Sequence, residues 1–403
     1  MQASTSSARD AALALADGCD HLETLDELTA RLGTGRRLRI KLGLDPTTAD
    51  LHIGHAVVLR KLQQFVDAGH DVTLLIGDFT ARIGDPTGRN TMRPPLTDEA
   101  IEANMQTYAA QAGKVLDLER ISLRYNSEWL AVLSFAQLIK LFAQSTVAQM
   151  LERNDFALRY AAKTPISMHE FLYPVAQAYD SVALESDVEL GGSDQLFNLL
   201  LGRPYQVHAG QPAQICMTVP LLEGLDGKKK MSKSTGNHIP LTDPPNEQFG
   251  KVMRVPDEAL ARYARLAAAW SAEETERMVH GIAAGTLAPM DEKKRIAAAV
   301  VTLYHGAEAA RAARDHFERT IQRGELPLEI PERRFDGLRS LVEVVVAAGF
   351  AESKRAAQRL IGEGAVRVDG IPITDPKAPW SAESHGVVQV GARKFVRILP
   401  EKG

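Results

Sequence analysis

Cysteine is almost missing from this chain: Cys19 and Cys216 are the only two in 403 residues. Two isolated thiols without ligand-like spacing argue against a disulfide framework and against a zinc site, and they favour a reducing compartment. No stretch approaches 18 consecutive apolar residues, so no membrane-spanning helix is expected. Residues 1–10 carry neither a basic start nor a long apolar run, so no secretory signal is expected either. The expectation is a cytoplasmic protein with no membrane partner. Internal repeats and low-complexity tracts are missing too.

A strong charge of one sign is also lacking, since the net charge is only −4. It is unevenly spread: from Arg333 onward, 12 Lys and Arg stand against 8 Asp and Glu. A mildly basic tail on an acidic body suits a phosphate-binding appendage, and equally an ordinary surface fluctuation. The rest is typical of a soluble globular protein, with 45% hydrophobic and 24% charged residues. A chain of this length is too long for one core, so two or three domains are expected.

Two short strings stand out. His52-Ile53-Gly54-His55 follows turn chemistry (Pro46-Thr47-Thr48-Ala49-Asp50) and opens an apolar run at helical spacing that stops at Gly69. With 11 His and 30 Gly in the chain, His-x-Gly-His arises by accident with a probability of about 2%. Lys230-Met231-Ser232-Lys233-Ser234 lies among Gly224, Gly227 and Gly236. Three successive lysines followed by Lys233 repel one another unless an anion is near, which suggests a mobile loop closing on phosphates. Taken singly, each string also fits a blander role, a helical turn with solvent-facing histidines and a solvated basic loop. Their occurrence together, in this order, is much harder to ascribe to chance.

The intervening pattern is α/β. Residues 8–33 read as helix; 38–45 alternate as a strand; 72–76 form the continuous apolar run of a buried parallel strand. Strand, helix, strand here make a βαβ unit, with the two histidines at the helix N-terminus where phosphate is favoured. Further helices are expected over 97–118 and 134–152, and strands over 121–126, 188–192 and 215–219. Two Gly-Asp pairs at Asp78 and Asp85 put carboxylates near the sheet's ligand end, or serve as turn and cap residues. Tyr173, Gln177 and Asp180 share one face of a helix that has Pro174 in its first turn. That stripe is either a solvated face or a pocket wall. Asp194, after Gly191-Gly192, is placed to hold a ribose hydroxyl. Pro244-Pro245 marks a boundary, 246–324 read as helical, and 323–335 as a linker. Beyond it come two short helices and a strand over 366–370.

These strings, with Tyr173-x-x-x-Gln177-x-x-Asp180 and Gly191-Gly192-Ser193-Asp194-Gln195, resemble those of the bacterial tyrosyl-tRNA synthetases, a branch of the class I aminoacyl-tRNA synthetases. The resemblance covers nearly the whole chain and is weakest before residue 35. The C-terminal part resembles a small RNA-binding module first seen in a ribosomal small-subunit protein, with Ser353-Lys354-Arg355 on its second helix.

The resemblance implies an α/β, Rossmann-like nucleotide-binding catalytic domain with a parallel sheet (1–242), a helical anticodon-side domain (243–330) and a small α+β RNA-binding module (336–403). It implies activation of tyrosine with ATP, releasing pyrophosphate, and transfer of tyrosine to the 3′ end of tRNA(Tyr). Mg²⁺ would travel with ATP; no prosthetic group and no protein-held metal are implied, and the chain would be a homodimer. Thr47, His52, His55, Lys230 and Lys233 would hold the reacting phosphates, with Gly54, Gly192, Asp194, Met231 and Ser234 completing the ATP site. Gly43, Asp45, Thr80, Asp85, Tyr173, Gln177, Asp180 and Gln195 would form the tyrosine site. There Asp180 accepts the phenolic proton, and Gln177, Tyr173 and Asp85 hold the α-ammonium. Arg89, Lys354, Arg355 and Arg359 would contact RNA.

Two positions depart from one branch of the family: Lys41 stands where that branch has tyrosine, and Arg89 where it has lysine. The alternatives are a tryptophanyl-tRNA synthetase, a non-catalytic RNA-binding protein on the same scaffold, and a nucleotidyltransferase sharing the histidine motif.

Overall fold

The computed structural model describes residues 5–47, 50–85, 87, 97–322, 330–335, 340–380, 385–391 and 394–399. Contacts divide the chain into two compact units, Met1–Gly306 and Ala307–Gly403. The division falls within the helical stretch Pro289–Phe317, where Gly306 leaves helical geometry with φ 86° and ψ 164°.

The first unit is built on six strands: β1 (His21–Glu23), β2 (Arg39–Leu44), β3 (Asp71–Ile76), β4 (Ser122–Tyr125), β5 (Val188–Gly192) and β6 (Ile215–Val219). Their spatial order is β1-β6-β5-β2-β3-β4. All neighbours run parallel except β1, which pairs antiparallel with β6 at the edge. The strand order reverses between β2 and β5, and that reversal opens a crevice at their carboxyl ends.

Three helices matter at once: α1 (Thr5–Ala16), α2 (Leu25–Gly33) and α3 (Ile53–Asp67). Helix α3 links β2 to β3 and buries Ile53, Ala56, Val57, Leu62, Phe65 and Val66, the stripe its spacing dictates. Gly69 ends it with φ 81°, a left-handed conformation that glycine adopts without a Cβ penalty. Lys61 is buried on this helix, and its ammonium is satisfied by Leu15 O at 2.9 Å, Asp17 O at 2.6 Å and Gln64 Oε1 at 2.6 Å, tying α3 to the end of α1.

The expected single helix over 8–33 is two helices separated by β1. Gly18 turns the chain with φ 78°, and Asp20 N donates to Thr218 O at 3.0 Å, so the three residues that follow pair along β6. The helix expected over 134–152 is likewise split into Phe135–Phe142 and Val147–Met150, because Thr146 caps a new N-terminus through Gln149 N at 3.2 Å. The helix expected over 97–118 ends at Ala112.

The second unit holds β7 (Glu332–Arg334), β8 (Val366–Val368), β9 (Ile371–Ile373), β10 (Gly386–Val390) and β11 (Lys394–Leu399), in the order β7-β11-β10-β8-β9. Helices Leu341–Ala347 and Lys354–Gly362 pack on this sheet around Val344, Val345, Ala357, Ile361, Val366, Val388 and Ile398. The end of the expected linker is therefore a strand: 332–334 pair in parallel with β11. The linker residues 323–329 lie outside the described residues.

Candidate active site

A cavity of about 620 Å³ opens at the carboxyl ends of β2 and β5, within the usual range for a small-molecule site. Its wall brings together Gly43, Asp45, Thr47, His52, Gly54, His55, Thr80, Asp85, Tyr173, Gln177, Asp180, Gly192, Asp194, Gln195, Lys230, Met231, Lys233 and Ser234. The stripe Tyr173, Gln177, Asp180 on helix Leu172–Ala183 is thus a pocket wall.

Asp180 is buried, and it accepts from Trp129 Nε1 at 2.7 Å and from Asn126 Nδ2 at 3.3 Å. Burial pushes the carboxyl up to about 7, against the opposing pull of Lys41, Trp129 and Asn126. Asn126 Nδ2 also donates to Thr80 Oγ1 at 3.0 Å, Thr80 Oγ1 donates to Asp45 Oδ1 at 2.8 Å, and Tyr173 OH donates to Asp45 Oδ2 at 2.9 Å. One hydrogen-bonded chain therefore runs from Asp180 to Tyr173. Gly77 permits it, since a Cβ there would collide with Asp45 Oδ1 and Thr80 Oγ1.

A second polar group surrounds Asp85, which accepts from Thr87 N at 2.9 Å, Gln195 Nε2 at 2.9 Å and Arg153 Nη2 at 3.3 Å. Burial raises this carboxyl, but Arg153, Thr87 and Gln195 outweigh it and hold Asp85 below the usual carboxylate range. Of the two Gly-Asp carboxylates, only Asp85 lines the cavity. Asp78 Oδ1 accepts from Phe79 N and Ser127 N, both at 3.0 Å, in a turn role.

At the other end of the cavity, His52 caps α3 and its backbone N–H donates to His55 Nδ1 at 3.2 Å. That bond leaves the proton of a neutral His55 on Nε2. The two rings stack with centroids 3.8 Å apart, and the His52 ring lies over Gly54. Burial, with Lys230 and His238 nearby, pushes His55 down to about 4. His52 is lowered well below its ordinary value for the same first reason.

The lysine loop meets this helix end directly. Ile53 N donates to Ile239 O at 3.0 Å and Leu241 N to Leu51 O at 2.9 Å, so the start of the histidine motif is paired with the segment that follows the lysine motif. Met231 is buried beneath the loop. The clustered lysines need an anion nearby, and for two of them the fold itself supplies one: Lys230 Nζ bonds Asp194 Oδ2, and Lys233 Nζ bonds Asp50 Oδ2 at 2.7 Å.

Reading the sequence missed Asn126, Trp129, Arg153 and Tyr108, whose hydroxyl donates to Asp45 O at 3.0 Å. None sits in a recognisable string, so the only signal for them is the fold. Lys41 lies under the wall rather than on it, paired with Glu189 at 3.0 Å. In the second unit, Lys354, Arg355 and Arg359 are exposed on helix Lys354–Gly362; Lys354 Nζ pairs with Glu343 Oε1 at 2.9 Å. Arg89 lies outside the described residues. Among the described residues, no group of three or more His, Cys, Asp or Glu side chains is arranged to hold a metal ion.

Residues 34–322 match the family described as tRNA synthetases class I (W and Y), and residues 339–381 match the S4 domain. Tyrosine–tRNA ligase from Thermotoga maritima is 50% identical over 93% of this chain and 93% of its own length. The tyrosine–tRNA ligase of Xanthomonas euvesicatoria pv. vesicatoria is 48% identical over 95% of this chain and 96% of its own. Among solved structures, tyrosyl-tRNA synthetase from Archaeoglobus fulgidus, complexed with L-tyrosine, superposes with a TM-score of 0.63 over 76% of this chain and 99% of its own. At 23% identity that likeness speaks for the fold.

Proposed function

The chain belongs to the class I aminoacyl-tRNA synthetases of the tryptophan and tyrosine group, among the tyrosine–tRNA ligases, and we propose that its cavity joins tyrosine to ATP and then to tRNA(Tyr). The observation that carries this is one cavity with two unlike ends: a buried carboxylate flanked by Trp129 and Asn126, and a histidine pair facing two lysines.

In the first step the carboxylate oxygen of tyrosine attacks the α-phosphorus of ATP. The bond from that phosphorus to the bridging oxygen breaks, and pyrophosphate leaves with its Mg²⁺. In the second step a terminal ribose hydroxyl of the tRNA attacks the tyrosyl carbonyl carbon and AMP leaves. In-line chemistry of this kind needs positioning and charge stabilisation more than a nucleophilic side chain. Neutral His55 donates from Nε2 to developing phosphate charge, beside Thr47 and His52. Lys230 and Lys233 exchange their carboxylate partners for phosphate oxygens. Asp194 holds the ribose, while Gly54, Gly192, Met231 and Ser234 shape the adenosine side.

Asp180 accepts the phenolic hydroxyl, and Gln177, Tyr173 and Asp85 surround the α-ammonium, with Gln195 near the carbonyl. A phenylalanine ring leaves that carboxylate without its donor. For enzymes of this type the resulting discrimination is on the order of 10⁵-fold, a figure belonging to the type rather than to this chain's geometry.

The division 1–242, 243–330 and 336–403 assigns tRNA contacts to the second and third parts, supported for the third by Arg355 and Arg359 one turn apart on an exposed face. Two lone thiols support a reducing, cytoplasmic setting, and no described helix is long and apolar enough to cross a membrane. A homodimer is supported by helix Phe135–Phe142, which is strongly apolar on one side yet buries none of its residues. Phe135 is 78% exposed, close in sequence to exposed Val132, Ile139 and Val147.

Charging of tRNA with labelled tyrosine tests the reading. Tyrosine esterified to tRNA(Tyr) in an ATP-dependent manner is expected; no charging of any tRNA would leave the RNA-binding scaffold as the better description.

A further inference from the structure

Lys41 and Glu189 have no part in the reaction above, yet they form a buried ion pair directly under the tyrosine end of the cavity. They are register partners on β2 and β5, each side chain is 1% exposed, and Nζ stands 3.0 Å from Oε1. Lys41 Nζ also donates to Ser181 Oγ at 2.7 Å and to Gln177 O at 3.3 Å. Glu189 Oε1 accepts from Gln177 Nε2 at 3.0 Å, while Oε2 accepts from Ser181 Oγ at 3.0 Å and from Gln214 Nε2.

Stability does not explain such a pair, because apolar residues of similar volume usually serve a core as well or better. Chemistry of the carboxylate does. An ionised glutamate can only accept hydrogen bonds, so the carboxamide of Gln177 must turn its NH₂ downward and keep its oxygen for the cavity. A neutral glutamine at 189 could face either side of that amide, and Gln177 would be free to present N–H groups to an incoming cation. Lys41 completes the device by compensating the carboxylate, and its three N–H groups are all occupied below the wall.

We propose that the Lys41–Glu189 pair is a positioning element that locks Gln177 with its amide oxygen toward the α-ammonium of the amino acid substrate. The proposal rests on the reading of Gln177 as an ammonium ligand and adds what orients it.

The test compares binding of L-tyrosine and of 3-(4-hydroxyphenyl)propionate, which differs only in lacking the ammonium, by titration calorimetry on the full chain. The wild type should prefer tyrosine. Glu189→Gln should lose tenfold or more affinity for tyrosine and less than twofold for the analogue, with the KM for ATP unchanged. Glu189→Asp, still an obligate acceptor, should recover part of the preference. The combined change Lys41→Met with Glu189→Gln removes both charges of the pair and covers the case in which the single variant does not fold. Loss of Lys41, which favours charged Asp180, weakens both ligands there, and the preference for tyrosine over the analogue should collapse as in the single variant. Equal weakening of both ligands, or an intact preference in Glu189→Gln, would overturn the proposal. A wild type indifferent to the ammonium would instead overturn the reading of Gln177.

Discussion

Trp129 donates its indole N–H to Oδ1 of Asp180 over 2.7 Å, while Asn126 Nδ2 donates to Oδ2 at 3.3 Å, so among the described residues each carboxylate oxygen has one donor. Burial nevertheless dominates and raises this carboxyl from 3.8 to about 7. Only the charged form accepts a phenolic hydrogen with full strength. The KM for tyrosine should therefore fall as pH rises from 6 to 8, with its inflection near 7, in pyrophosphate exchange at saturating ATP. Stability runs the other way. With the folded value above the unfolded one, the contribution of Asp180 is fully present below about 3.8 and lost as pH rises through about 7. Asp180→Asn should raise Tm at pH 8 by several degrees and change it little at pH 4.

His55 remains neutral down to about 4, so adenylate formation should show no titration near the ordinary histidine value of 6.5 when tyrosine is saturating. Its useful atom is Nε2–H. His55→Gln, which keeps a donor at that reach, should retain far more activity than His55→Ala, for which a loss on the order of 10²-fold is expected. Single-turnover adenylate formation measures both. Because the folded value is depressed, the contribution of His55 to stability is present above 6.5 and lost as pH falls toward 4.

Lys233 is held by Asp50 at 2.7 Å, with both groups partly exposed. Exposed pairs contribute about 0–1 kcal/mol. Asp50→Asn should free the lysine for phosphate and lower the KM for ATP by about two- to fivefold, leaving the KM for tyrosine unchanged. A rise in the ATP value would show that Asp50 assists binding rather than competing with it.

Phe135 and Ile139 lie one turn apart on the exposed apolar side of their helix. Phe135→Asp with Ile139→Asp should convert a dimer to a folded monomer in sedimentation velocity at micromolar concentration. A wild type that already sediments as a monomer would contradict the homodimer reading.

Much of this architecture is legible in the sequence because its signals are local and repeated. The stripe from Ile53 to Val66 and the apolar run of β3 specify their elements without help from the rest of the chain. Strand β1 is not legible: three residues cannot display a period, and their conformation is imposed by the edge of β6. The same divide holds in the site. Residues in the signature strings can be named beforehand, whereas Arg153 meets Asp85 from 68 positions away. The lysine loop shows the cost of reading charge locally, since one neutralising carboxylate, Asp50, lies 183 positions before Lys233.

On the function proposed above, one cavity binds tyrosine through Asp180 and activates it with ATP. ATP–pyrophosphate exchange with tyrosine, phenylalanine and tryptophan, on wild type and on Asp180→Ala, decides this. Strong exchange with tyrosine alone, lost or redirected in the variant, is the predicted result. Exchange driven by tryptophan, or tyrosine exchange unaffected by Asp180→Ala, would contradict it.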